Sequence, residues 1–441
     1  MVLEDYLDIS RRRQLTIVPL FKLQLHMLQD LVTAERMIGQ YRQKAKEILG
    51  ETPPDEEDAG ADDAGEPESD SSTELETSEE RESTRPTEEI RLINRELFHL
   101  KAEVRALRDI GDGIAWRLFD YDRAVLHELA RRPSGKHINL DGILAELYAL
   151  AAYCNERSGV PLLNDLTNFL KFGDLTIRRG SEFEIVEVKA GTSGGGRDTR
   201  QRQGLTEVMS LLSIDQGRKI DGKPVRISTV GVQPEMFKGN LRGLLDRAEA
   251  DGAAVEQVGS HLVIECMDFM SALEKRFQKE RVFAILDRGR PVLERWKAAN
   301  DFVIKLDAHD RYAHAQNYAP LSIFPLNPRA CVRLMSGAVG LRAFVNVSAV
   351  LRGLEERGWT VVKSPFQIAE SEKEFTGELP MAILRKGRLT TSVPSALFGR
   401  LGMEFLKPKS LAQLFEAMLR EGDKAGTYQF VNFAGEPGMW Q

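Results

Sequence analysis

The chain has 441 residues, which at about 100–200 residues per folded unit spans two or three domains. With 42% hydrophobic and 29% charged residues it is neither fibrous nor wholly disordered, and its three scattered cysteines and seven histidines exclude a disulfide-stapled scaffold and a zinc finger. The net charge of -7 is uneven: residues 51–88 hold sixteen acids against Arg81 and Arg85, so the rest of the chain is net basic.

In chain order, the start MVLEDYLDISRRR has acids where a secretory leader is basic, and no apolar core follows. No run of about 18 apolar residues exists to span a bilayer, so a cytoplasmic protein with no membrane contact is expected. Residues 1–50 read as an N-terminal helix, with Phe21, Leu28, Leu31, Ile38, Tyr41, Ala45 and Ile48 on one stripe. The segment 51–88 contains a single large apolar residue, Leu75, too little to offset the entropy of ordering it. It is expected to be a disordered acidic linker, either a solvated tether or a decoy over a basic site. From 89 to 134 a second helical segment carries Ile90, Ile93, Leu97, Leu100, Val104 and Leu107 at alternating spacings of three and four, a coiled-coil seam. The two helices satisfy each other as an antiparallel pair within one chain, or through a homodimer or a partner protein. Their stripes do not choose.

The helix at 141–156, DGILAELYALAAYCNE, opens with Asp141 as a candidate cap. It carries Glu146 among leucines and alanines, an acid that either reaches the solvent edge or faces a cation. A strand is expected within 160–170, and KFGDLTIRRGSEFEIVEVKAG reads as strands 172–178 and 182–190 about a turn at Arg179–Gly180–Ser181. In the first, Asp174, Thr176 and Arg178 share a face. In the second, Phe183, Ile185, Glu187 and Lys189 lie opposite Val186 and Val188. Apolar residues on both faces mark the second as a central, doubly covered strand. Ending such a strand in Glu-Val-Lys calls for a charge partner, because unpaired buried ions cost several kcal/mol each. A divalent cation is the natural one.

Asp174, thirteen residues before Glu187-Val188-Lys189 with a hydrophobic strand leading into the motif, resembles the PD-(D/E)xK nuclease superfamily, which includes restriction endonucleases, repair nucleases and anti-phage effectors. (D/E)-x-K occurs twice in the chain, and the second instance, Asp221-Gly222-Lys223, sits in a turn with no strand before it. The resemblance covers residues 135–270. It implies a restriction-endonuclease-like α/β domain, a mixed sheet of about four strands flanked by helices in the order αβββαβ, with a helix near 199–213 and a strand at 225–232. It also implies Mg²⁺ or Mn²⁺ as cofactor, held by Asp174, Glu187 and the Val188 backbone carbonyl, with Lys189 acting on the attacking water. Glu146 is then a candidate for a second metal, in competition with Glu156 and Asp165. Gln203 would be a polar residue at the start of the following helix that touches the site. The implied activity is phosphodiester hydrolysis of nucleic acid, with DNA as the expected partner, in defence or repair; the alternative is an inactive nuclease-fold module that binds nucleic acid or protein.

Residues 275–441 carry no motif and are expected to form a separate C-terminal α+β module. GRPVLERWKAANDFVIKL reads as a helix, and AVGLRAFVNVSAVLRGLEERGWTVVKSPF as a helix, a glycine stop and a strand. His309 and His314 lie in a loop, where too few further ligands are spaced to close a metal site.

Overall fold

The computed structural model describes residues 3–12, 16–49, 88–130, 140–156, 159–170, 173–188, 219–220, 223–230, 234–270, 279–308, 318–365, 380–387, 389–421 and 428–433. They form a mixed α+β chain in two compact units, one within 29–104 and the other from 1–28 and 105–441. Among the described residues no helix is long and apolar enough to cross a membrane.

The short helix α1 (Leu3–Ser10) precedes the long helices α2 (Ile17–Leu49) and α3 (Glu88–Leu118). In the first unit the expected stripes meet within the chain. Ala34 and Ile38 are buried with Ile93, Leu97 and Leu100, and Tyr41, Ala45, Ile48 and Val104 pack around them. The pair Lys44–Glu89 at 2.8 Å fixes an antiparallel register. Both of its ends are more than half exposed, so it sets alignment more than stability. The linker expected at 51–88 lies outside the described residues except for Glu88, which opens α3.

In the second unit, α3 ends near Leu118 and is followed by α4 (Arg123–Ala130) and α5 (Leu140–Glu156), so Asp141 lies inside α5 rather than capping it. A small antiparallel sheet follows, in the order β1 (Val160–Leu163), β2 (Leu175–Arg179), β3 (Glu182–Val186). Arg179 pairs with Glu182 across Gly180, whose φ of 65° is what a two-residue hairpin turn demands. The expected central strand is corrected: Leu175, Thr176 and Ile177 of β2 are fully buried, whereas β3 pairs only with β2 among the described residues and is half-exposed along most of its length. Glu182 and Glu184 need water or a counter-ion, and Glu184 takes Arg179 at 2.8 Å. Among the described residues the outer edge of β1 is met by a side chain, not a strand. Buried Gln24 of α2 donates to the Pro161 carbonyl and accepts from the Leu163 N–H.

The sequence continues with β4 (Lys219–Ile220), β5 (Lys223–Val230), α6 (Lys238–Asp251), β6 (Ala253–Val258), β7 (Leu262–Asp268), α7 (Lys279–Leu286), α8 (Arg290–Ala298), β8 (Val303–Asp307), α9 (Pro328–Met335) and β9 (Val339–Asn346). Strands β6, β7, β9 and β8, in that order, make an antiparallel sheet. Helices α7 and α8 cover one face, where Val282 and Ile285 meet Ala253 and Met267, and Val292 and Trp296 meet Val263 and Phe344. This sheet crosses the division expected at 270/275, because β7 pairs along its whole length with β9. VGLRAFVN, read from the sequence as helical, is strand β9, with buried residues alternating along most of it. Residues 290–307, likewise, are a helix followed by a strand, not one helix.

Asn346 accepts from the Ala349 N–H and so caps α10 (Val347–Glu355), which ends ahead of Gly358 and β10 (Thr360–Lys363). Then come β11 (Pro380–Lys386), β12 (Leu389–Pro394), α11 (Ser395–Met403), α12 (Pro408–Glu421) and β13 (Tyr428–Phe433). Strands β10, β11 and β12 form a meander, and α11 packs on the second face of the four-stranded sheet, with Gly402 against Ala343 and Val345. Strand β13 returns to lie parallel to β5, Tyr428 opposite Val225 and Phe433 opposite Val230. A separate C-terminal module is therefore corrected as well: residues from 275 onward complete two sheets begun before 270. Just past α11, fully buried Glu404 accepts from Arg400 Nε at 2.7 Å and from the Ala319 N–H at 2.8 Å, and pairs with Arg123 Nη2 at 2.9 Å.

Candidate active site

The loop after β1 is a single 3₁₀ turn, Asn164–Leu166, and Asn164 fastens it to the start of β2. Its N–H donates to the Asp174 carbonyl at 2.9 Å, its amide Nδ2 to the Gly173 carbonyl at 3.1 Å, and its Oδ1 accepts from Thr176 Oγ1 at 2.8 Å. With Asn164 so held, the next residue, Asp165, is brought near Asp174.

Strand pairing stops at both ends of the expected motif for a local reason. Gly173 has φ 63°, and a Cβ there would come within 2.7 Å of the Val186 carbonyl oxygen, so only glycine fits. Asp174 then donates its N–H to Val186 O at 2.8 Å, and its carboxylate takes over where the ladder would continue, accepting from the Val188 N–H at 2.5 Å. The strands are accordingly shorter than expected, 175–179 and 182–186, and Glu187 and Val188 follow in partly buried chain beyond β3.

Three carboxylates feel one another here. Burial pushes Glu146 up to about 7, and the charges of Asp165 and Asp174 add to that rise. Burial also raises Asp174, opposed by the Val188 hydrogen bond and reinforced by Asp165. Like charges held together out of bulk water destabilise the ionised forms, and a cation would relieve that repulsion. Among the described residues, however, no three acids, histidines or cysteines come close enough to form a ready metal-ligand group.

Helix α3 supports the loop from beneath. Buried Asp112 accepts from the Asn168 N–H at 2.6 Å and from Asn168 Nδ2 at 2.7 Å, and burial holds its own carboxyl well above the ordinary value despite those bonds. A methyl on Gly111 would lie 1.9 Å from the Leu166 carbonyl oxygen, so helix and turn touch backbone to backbone. Gly111→Ala is expected to force them apart at a cost of about 1–3 kcal/mol, read as a lower denaturant midpoint with an unchanged m-value.

Of the sequence-derived site residues, Asp174, Val188 and Glu187 lie where two strand ends meet, and Glu146 is close enough to feel the charges of Asp165 and Asp174. Glu156 is exposed at the end of α5, which leaves Asp165 as the nearer of the two competitors. Lys189 and Gln203, the helix expected near 199–213, and His309 and His314 lie outside the described residues. Asn164, Gly173 and Asp112 were not foreseen. The Asn-Asp pair closing the apolar run VPLL was a turn signal that could have pointed to the first. No family model, no curated protein and no solved structure matches this chain.

Proposed function

We propose that the chain is a metal-dependent nuclease of the PD-(D/E)xK kind, cutting phosphodiester bonds in DNA, with a restriction-endonuclease-like arrangement around α5, β1, β2 and β3. The observation that carries this reading is the Val188 N–H bond to the Asp174 carboxylate, which ties the upstream acid to the Glu-Val-Lys segment it would work with. The donor set suits Mg²⁺ or Mn²⁺, since the candidate ligands are hard oxygens on a partly buried site and Mg²⁺ needs few protein ligands. Asp174, Glu187 and the Val188 carbonyl would hold the ion, with Glu146 and Asp165 adding negative charge nearby. Bound there, the ion would neutralise charge on the scissile phosphate and acidify a water. The chain's own part is placement: Val188 orients Asp174, Asn164 holds the Asp165 turn against it, and Lys189 is the candidate for the attacking water. One departure from the implied single mixed sheet of about four strands is that, among the described residues, β5 pairs with β13 and β4, apart from the β1–β2–β3 sheet.

The test is incubation of plasmid DNA, and separately of RNA, with the full chain in Mg²⁺ or in EDTA. DNA cleavage that disappears in EDTA and in Glu187→Ala and Lys189→Ala supports the nuclease. Nucleic-acid binding without turnover in the parent protein would replace it by a binding module on the same fold.

A further inference from the structure

A second place in the molecule carries ligand chemistry unrelated to strand ends β2 and β3. A cavity of about 370 Å³ opens over the face of the four-stranded sheet that α7 covers. The period of two sets Glu265 and Met267 of β7, Gly340 and Arg342 of β9, and Asp307 of β8 on this face. The register aligns Glu265, Arg342 and Asp307 in one row across three strands. Met267, Phe269 and Leu286 give the cavity apolar walls. A Cβ on Gly340 would sit 2.3 Å from the Phe269 ring, so glycine is what lets that ring form a wall.

The charges in this row are unequally satisfied. Asp307 takes Arg342 Nε at 2.9 Å and Lys305 Nζ at 3.1 Å. Glu265 has a side chain 15% exposed, and among the described residues its ion-pair partner is Arg342 Nη1 at 3.7 Å, beyond hydrogen-bond reach. Among the described residues Glu265 also feels Lys305 and a further acid, Asp287, which is itself exposed and paired with Arg290. Among the described residues this half-buried carboxylate accepts no hydrogen bond closer than the Arg342 ion pair, so it keeps accepting capacity, and it borders an apolar-walled cavity of the size small ligands occupy. We propose that this cavity binds a small organic cation, an amine or amidine on an apolar body, its charged head on Glu265 and its body against Met267, Phe269 and Leu286. Binding here is independent of the nuclease reading, because no residue is shared between the two sites.

Titration calorimetry of the full chain with benzamidine, and with neutral benzamide of the same shape, tests it. Benzamidine is expected to bind at millimolar concentration or below and benzamide not to. Glu265→Gln is expected to weaken benzamidine by at least about tenfold without lowering the melting temperature. Leu286→Lys, which tethers an ammonium in the cavity, is expected to abolish binding, and it keeps the test decisive should the glutamine variant misfold. No heat with benzamidine, equal binding of benzamide, or binding unchanged in either variant overturns the assignment.

Discussion

Glu404→Ala is expected to lose about 3–5 kcal/mol of unfolding free energy, the largest stability effect of any single substitution considered for this chain. Burial alone is the strongest influence on this carboxyl and pushes its pKa up, yet Arg123, Arg400 and the Ala319 N–H together hold it below its ordinary value. The ionised form is therefore the one the fold stabilises. Removing it leaves Arg400, 5% exposed, and Arg123, 13% exposed, without their shared counter-ion, and strips the Ala319 N–H of its acceptor. Arg123 also lies 4.7 Å from the Trp116 ring, so its displacement reaches α3. The sign with pH follows from the depressed carboxyl: its contribution is complete above the unfolded-state value and is lost as pH falls through the folded one. Urea unfolding of the parent and variant at pH 7 and at pH 4 checks both points. The gap between the two proteins should be wide at pH 7 and narrower at pH 4, and equal midpoints at pH 7 would show that the cluster holds nothing together.

Asp174→Asn is expected to do the opposite, sparing the fold and removing turnover. Asparagine can still accept from the Val188 N–H through Oδ1, and it takes away a charge that burial and Asp165 already disfavour. The melting temperature should be unchanged or slightly higher. If the proposed function is right, Mg²⁺-dependent cleavage should fall by about a thousandfold or more, because a neutral amide is a poor ligand for a hard cation and charge stabilisation of the reacting phosphate is lost. Thermal melts alongside single-turnover cleavage separate this from a structural role. Parallel loss of stability and activity would make Asp174 a staple of the loop, not a metal ligand.

Patterns that repeat over neighbouring residues were legible in the sequence; meetings between distant residues were not. The seam from Ile90 to Val104 and the Arg179–Gly180–Ser181 turn rest on spacing and on a glycine conformation, and both stand where expected. The centrality of β3 was misread because apolar residues on two faces also arise when one face stacks locally, as Phe183 does on Phe119 at 4.4 Å between centroids. Arg400 and Glu404, four apart on a helical stretch, look like a solvated surface pair. Only the arrival of Arg123 and Ala319 makes them interior. At the candidate site the acids could be named from the motif, but Asn164 could not, since its side-chain amide reaches Gly173 and Thr176, nine and twelve residues on, and its own neighbours suggest no more than a turn.

The parallel pairing of β13 with β5 bears on how the chain matures. Phe430 lies 203 residues after its neighbour Ile227, so this ladder closes only after everything between the two strands has left the ribosome. Long loop closure of that kind is slow, and until it happens an unpaired strand edge stands open to other nascent chains. Truncations ending before residue 428 should accordingly accumulate as aggregates even when they retain every acid of the candidate site.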